Sequence, residues 1–134
     1  MNRELERLVW RRAKAVCEYC RMPQQFDHAT FEVDHIQPVV HGGKTVSRNL
    51  ALSCFACNRF KGPNLAGIDP ATGKLSKLFH PRRHDWDYHF AWHGARLIGR
   101  TAIGRATVRV LNINDPLRCH LRDASIADGK LKLG

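Results

Sequence analysis

Residues 31–62, "FEVDHIQPVVHGGKTVSRNLALSCFACNRFKG", decide how this chain folds. "FEVDHI" (31–36) reads as a β-strand with a charged pair, Asp34 and His35, in its middle. A strand alternates faces, so these neighbours point to opposite sides, and at least one is displayed for a purpose. Pro38 limits the length of the strand. "HGGKTVSRN" (41–49) is a loop with two glycines, and "LALS" (50–53) is a short apolar second strand. "CNRFKG" (57–62) reads as a short helix stopped by Gly62 and Pro63.

Cysteines bracket this unit. "CEYC" places Cys17 and Cys20 two residues apart, and "CFAC" does the same for Cys54 and Cys57, with 33 residues between the pairs. Two residues between thiolates let one turn aim both sulfurs at a single ion, and two such turns complete a tetrahedral four-cysteine zinc site. Two buried structural pairs or a redox C-x-x-C are the competing readings. The matched pairs favour zinc, and four thiolates leave no open position on it, so the metal is expected to be structural. The first 66 residues hold few large apolar side chains, which gives a zinc ion an energetic reason to be there. The fifth cysteine, Cys119, has no partner in this pattern and is expected to pack as a small apolar residue.

Working outward, residues 3–16 are predicted to be helical. Leu5, Leu8, Val9, Ala13 and Val16 recur at helical steps, with Arg and Lys on the other face. "GPNLAGIDPATGKLSKL" (62–78) is rich in Gly and Pro and reads as a linker or turn segment. "HFAWHGARLIGR" (89–100) looks like a hairpin turning at Gly94. "TAIGRATVRVLNIND" (101–115) suits a helix capped by Thr101, and Asp115 with Pro116 opens a last one. In "FHPRRHDWDYHFAWH" (79–93), His80 and His84, and His89 and His93, are four apart, but Pro81 argues against a regular helix that would pair the first two.

The chain has 134 residues and 22 Lys+Arg against 12 Asp+Glu, a formal net charge of +10. The excess is spread along the chain, as in a folded protein that meets a polyanion, with nucleic acid the default. No apolar run is long enough to span a membrane. The N-terminus lacks the apolar segment of a signal peptide, which points to the cytoplasm, where reducing conditions favour metal over disulfides.

"VDHIQPVVHGGKTVSRNLALSCFACNRFKG" resembles the HNH endonuclease motif, the ββα-metal finger, in its four-cysteine zinc form. "DHIxP", "GG", "NL", "CxxCN" and Lys61 follow in the order of that family, and the likeness covers about residues 10–62. It implies an α+β fold: a small zinc-stapled nuclease finger with an N-terminal helix, and a C-terminal hairpin-plus-helices extension. Residues 1–66 would form the nuclease domain and residues 67–134 an extension packing on it. By the same resemblance His35 would be the general base, Asp34 a metal ligand and Asn49 the residue supporting the loop. Asn58 stands where the family name expects a histidine, so the resemblance is to the HNN variant.

Oxygen donors from Asp34 and Asn58 favour Mg2+ or Mn2+ at the catalytic site, apart from the structural Zn2+. Imidazole is the side chain suited to take a proton from water near neutral pH. A divalent ion can neutralise the phosphate and the departing oxygen. The implied partner is DNA, with RNA not excluded and no membrane. His41, Lys44, Arg59, Lys61, Arg82 and Arg83 are candidate phosphate contacts, although His41 serves equally well as a plain loop residue. A zinc-stapled nucleic-acid-binding module without catalysis is the alternative from another class.

Overall fold

The computed structural model describes residues 1–134. The chain divides into two compact units, Met1–Leu65 with His80–His84, and Ala66–Phe79 with Asp85–Gly134. The fold is α+β, built from helices and three separate two-stranded antiparallel sheets.

In the first unit, helix α1 (Arg3–Ala13) begins at Asn2, whose side chain accepts from Leu5 N at 2.8 Å. Its apolar stripe buries Val9 completely against the unit's small core. The helix ends at Ala13, three residues short of the expected Val16. Lys14 and Ala15 both take left-handed backbone (φ 54° and 55°), which turns the chain toward the first cysteine pair. Val16 then bridges to Pro23 in extended geometry. No glycine marks this reversal, so periodicity alone carries the helix too far.

Strand β1 (Glu32–His35) pairs antiparallel with β2 (Leu50–Ser53), setting His35 opposite Leu50 and Asp34 opposite Ala51. β2 is buried along its whole length, with α1 packed on it. Helix α2 (Phe55–Lys61) follows at once and packs on β1. It starts two residues before the expected Cys57, because Cys54 caps it by accepting from Cys57 N at 3.3 Å. It ends at Gly62, where φ 49° combined with ψ −138° is a backbone geometry that favours glycine.

In the second unit, the segment expected to be a linker or turn forms a hairpin of β3 (Ala66–Ile68) and β4 (Leu75–Lys77). Its turn is organised by Asp69, which is fully buried and accepts from Ala71 N (3.0 Å), Thr72 Oγ1 (3.0 Å) and the Arg105 guanidinium (2.8 and 2.9 Å). The Arg105 hydrogen bonds hold the Asp69 carboxyl well below the usual carboxylate range. Short helix α3 (Trp86–His89) leads into the hairpin β5 (Phe90–His93) and β6 (Arg96–Gly99), which turns at Gly94. Helix α4 (Ala102–Val110) is capped by Thr101 and packs on β6 and β3. Helix α5 (Pro116–Ala127) is capped by Asp115. Its Arg122 is buried and donates to the carbonyls of Ala95 and Ile113, each at 2.8 Å. Cys119 lies on α5, outside the cysteine cluster. No helix is long and apolar enough to cross a membrane.

Candidate active site and zinc cluster

The four cysteines of the two knuckles converge. The sulfurs of Cys17, Cys20, Cys54 and Cys57 all lie within 4.8 Å of one another, and all four residues are buried. Cys20 Sγ and Cys54 Sγ are 3.7 Å apart. Four sulfurs placed tetrahedrally at about 2.3 Å from one zinc stand about 3.8 Å apart, so the spacing suits that ion. Backbone N–H groups of Cys20 and Cys57 point at the sulfurs of Cys17 and Cys54, at 3.5 and 3.3 Å. Without a cation, burial pushes the thiols of Cys17 and Cys57 well up. A divalent ion removes that penalty, and the chemistry of the set fits structural zinc.

The two residues between the first pair of sulfurs reach the sheet. Glu18 N donates to Leu52 O at 2.9 Å, while its carboxylate accepts from Leu52 N at 2.8 Å. Its other carboxylate oxygen pairs with Arg82. Tyr19 is buried and donates its hydroxyl to Asp34 Oδ2 at 2.7 Å.

Strand alternation separates Asp34 from His35. Asp34 is 7 % exposed and faces Lys61, whose Nζ lies 3.1 Å from Oδ2 and 3.4 Å from Oδ1. Lys61 is itself 2 % exposed and donates also to the His35 carbonyl at 3.2 Å. Burial raises the Asp34 carboxyl above its ordinary value, and the Lys61 charge and the Tyr19 hydrogen bond pull it partly back. His35 is half-buried, and its Nε2 sits 2.8 Å from Thr45 Oγ1. That contact occupies one ring nitrogen and leaves Nδ1 without a protein partner.

Asn49 fixes the loop between the strands. Its Oδ1 accepts from Gln37 N at 2.9 Å, and its Nδ2 donates to Gln37 O and Lys44 O at 3.0 and 2.9 Å. Its carbonyl accepts from Ile36 N at 2.8 Å, next to His35. The two glycines serve this loop differently. Gly42 takes φ 83°, while a Cβ on Gly43 would run into the Gln37 carbonyl. Asn58 lies one turn before Lys61 on the same face of α2, and its side-chain amide has no hydrogen-bond partner in the protein. Asp34 Oδ1 has only the 3.4 Å contact to Lys61. One loosely held carboxylate oxygen and one unpartnered amide oxygen are hard donors of the kind that suit Mg2+ or Mn2+.

The candidate phosphate contacts divide into two groups. His41, Lys44, Arg59 and Arg83 are exposed. Lys61 and Arg82 are held inside the first unit, Lys61 on Asp34 and Arg82 on Glu18. Burial and the nearby Arg12 charge bring Arg82 down to about 10. Tyr19, Glu18 and Thr45 escape sequence reasoning. The first two stand between cysteines that draw all attention to sulfur, and Thr45 meets His35 only once the loop has closed.

The family model described as HNH endonuclease matches residues 17–64, from the first zinc-cluster cysteine to just past α2. No curated protein and no solved structure matches the chain significantly.

Proposed function

We propose that this HNH-domain protein is a metal-dependent endonuclease that hydrolyses phosphodiester bonds in DNA. The observation that carries the proposal is the placement of His35. It is the last residue of β1, with Lys61 on its carbonyl and Asn49 holding Ile36 and Gln37 just beyond it, and it has one ring nitrogen turned to Thr45 and the other unpaired. With Nε2–H donating to Thr45, the lone pair on Nδ1 is the base that takes a proton from the attacking water. Asp34 and Asn58 are the residues that would hold one Mg2+ or Mn2+. Such an ion would supply charge neutralisation at the phosphate and the leaving oxygen. Asn49 keeps the loop, and with it Thr45, in register with the base. Four buried thiols with no disulfide suit a reducing compartment, which supports a cytoplasmic setting.

One observation favours the runner-up, a zinc-stapled binding module without catalysis: Lys61 already neutralises Asp34 without any metal. Supercoiled plasmid separates the two. Zinc-loaded protein incubated with a panel of Mg2+, Mn2+ and Ca2+ should nick plasmid with the first two. Asn58→Ala should need more Mg2+ to do so. Plasmid left intact by the unaltered protein with every metal would decide for the binding module.

A further inference from the structure

We propose that Tyr19 is a positioning residue through which the zinc knuckle sets the geometry of the Asp34 carboxylate. The inference rests on Asp34 being a ligand of the divalent ion. Tyr19 stands between Cys17 and Cys20 in the chain, and its ring is 1 % exposed. This deeply buried hydroxyl donates to Asp34 Oδ2 at 2.7 Å, and swinging away would give up that hydrogen bond and leave the carboxylate oxygen to Lys61 alone. Glu18 works beside it. By exchanging two hydrogen bonds with Leu52 it adds a rung to β2, opposite Val33 and next to Asp34 in the register. The knuckle is thus fastened to both strands by the two residues that its sulfurs enclose. With Oδ2 held by the hydroxyl, Oδ1 is the less engaged oxygen. Zinc therefore does more than stabilise the fold: it holds the turn that holds the carboxylate.

Tyr19→Phe removes one oxygen and keeps the ring. Full-length zinc-loaded protein is titrated with Mn2+ and bound ion is read by electron paramagnetic resonance, with zinc content measured on the same samples. Tyr19→Phe should keep its zinc and bind Mn2+ about tenfold more weakly. Added to Asp34→Asn it should weaken binding no further, because both changes act on one contact. Mn2+ affinity equal to that of the unaltered protein, or loss of zinc, would overturn the role for Tyr19. Unchanged affinity in Asp34→Asn would remove Asp34 as a ligand and the proposal with it.

A separate observation on α1 carries a second inference. Arg3, Arg7 and Arg11 recur every four residues, are exposed, and have no hydrogen-bond or ion-pair partner, although Glu6 lines the same shallow groove. Lys61 and Arg82 are already paired inside the protein, so these three guanidiniums are among the charges left for a polyanion. At about 6 Å of rise per four residues they form a stripe along one helix face. We infer that this stripe grips the phosphodiester backbone of the nucleic-acid substrate, which is a sequence-independent contact.

The test is binding of a short DNA duplex with no divalent cation present, followed across salt concentration, so that it is read apart from cleavage. Changing all three arginines to Gln should reduce the slope of log affinity against log salt by about 2 to 3. The same three charges removed at Lys74, Lys77 and Arg96 should change it by less than about 1. Equal losses from the two sets, or no loss from the first, would overturn the inference. Absence of any duplex binding by the unaltered protein would sink the nucleic-acid reading as well.

Discussion

The ammonium of Lys61 lies 3.1 Å from the Asp34 carboxylate, and both side chains are almost fully withdrawn from solvent. Removing one member of such a pair leaves the other charge buried and uncompensated, which costs about 3 to 5 kcal/mol. Lys61→Met should lower stability to urea by about 3 kcal/mol. Replacing Asp34 by Leu in the same protein should recover much of that loss, because two apolar groups can fill the space of a buried ion pair. Urea midpoints of the three proteins check this. A Lys61→Met protein as stable as the unaltered one would show that the pair contributes nothing.

Zinc should be inseparable from the folding of the first unit. Structural four-ligand sites supply on the order of 10 kcal/mol of apparent folding free energy, more than a core this small can spare. Cys57→Ser, or chelation of the unaltered protein, should release one zinc and abolish the protected amides of β1 and β2 in hydrogen exchange. Retention of that protection in the metal-free protein would show that the cluster is not what holds the strands.

Asn49 makes three hydrogen bonds to the backbone of the 37–44 loop. Asn49→Ala should cost about 2 to 3 kcal/mol at about 1 kcal/mol for each. Asn49→Asp keeps the acceptor for Gln37 N and loses both donors, so it should protect the Gln37 amide from exchange while still loosening the loop. Equal exchange at Gln37 in the Ala and unaltered proteins would contradict the geometry.

A pH dependence follows from His80, which burial, together with the neighbouring charges of Arg83 and His84, brings down to about 4. Its Nδ1 accepts from Arg82 N at 3.1 Å, an acceptor role that the neutral ring fills. The unfolded chain takes up a proton at this residue near pH 6.5, while the folded chain resists it until about pH 4. His80 therefore contributes stability above pH 6.5 that is lost as the pH falls toward 4. His80→Gln should flatten the decline in melting temperature between pH 7 and pH 5. An identical decline in both proteins would remove His80 as its source.

Much of the first unit was legible because local signals agree there. The spacing of Cys17, Cys20, Cys54 and Cys57, the apolar run 50–53 and Gly62 each mark one feature, and the fold satisfies all of them together. Thr101 and Asp115 announced α4 and α5 because capping is local chemistry. The β3–β4 hairpin stayed hidden because its turn depends on Arg105 binding Asp69 from 36 residues away. The end of α1 was missed because Lys14 and Ala15 take a backbone geometry that their side chains do not advertise. At the site, the types and order of Asp34, His35, Asn49 and Asn58 are written in the sequence. The burial of Lys61, the reach of Tyr19 and the contact of Thr45 with His35 are tertiary and leave no local trace.

The central claim is that the imidazole of His35 accepts the proton of the attacking water, and its most direct test is chemical rescue. His35→Ala, loaded with zinc and supplied with Mg2+, should still bind plasmid and should no longer nick it. Adding free imidazole should restore part of the nicking, with a rate that rises with the concentration of neutral imidazole. A His35→Ala protein that nicks at the unaltered rate without imidazole would contradict the account.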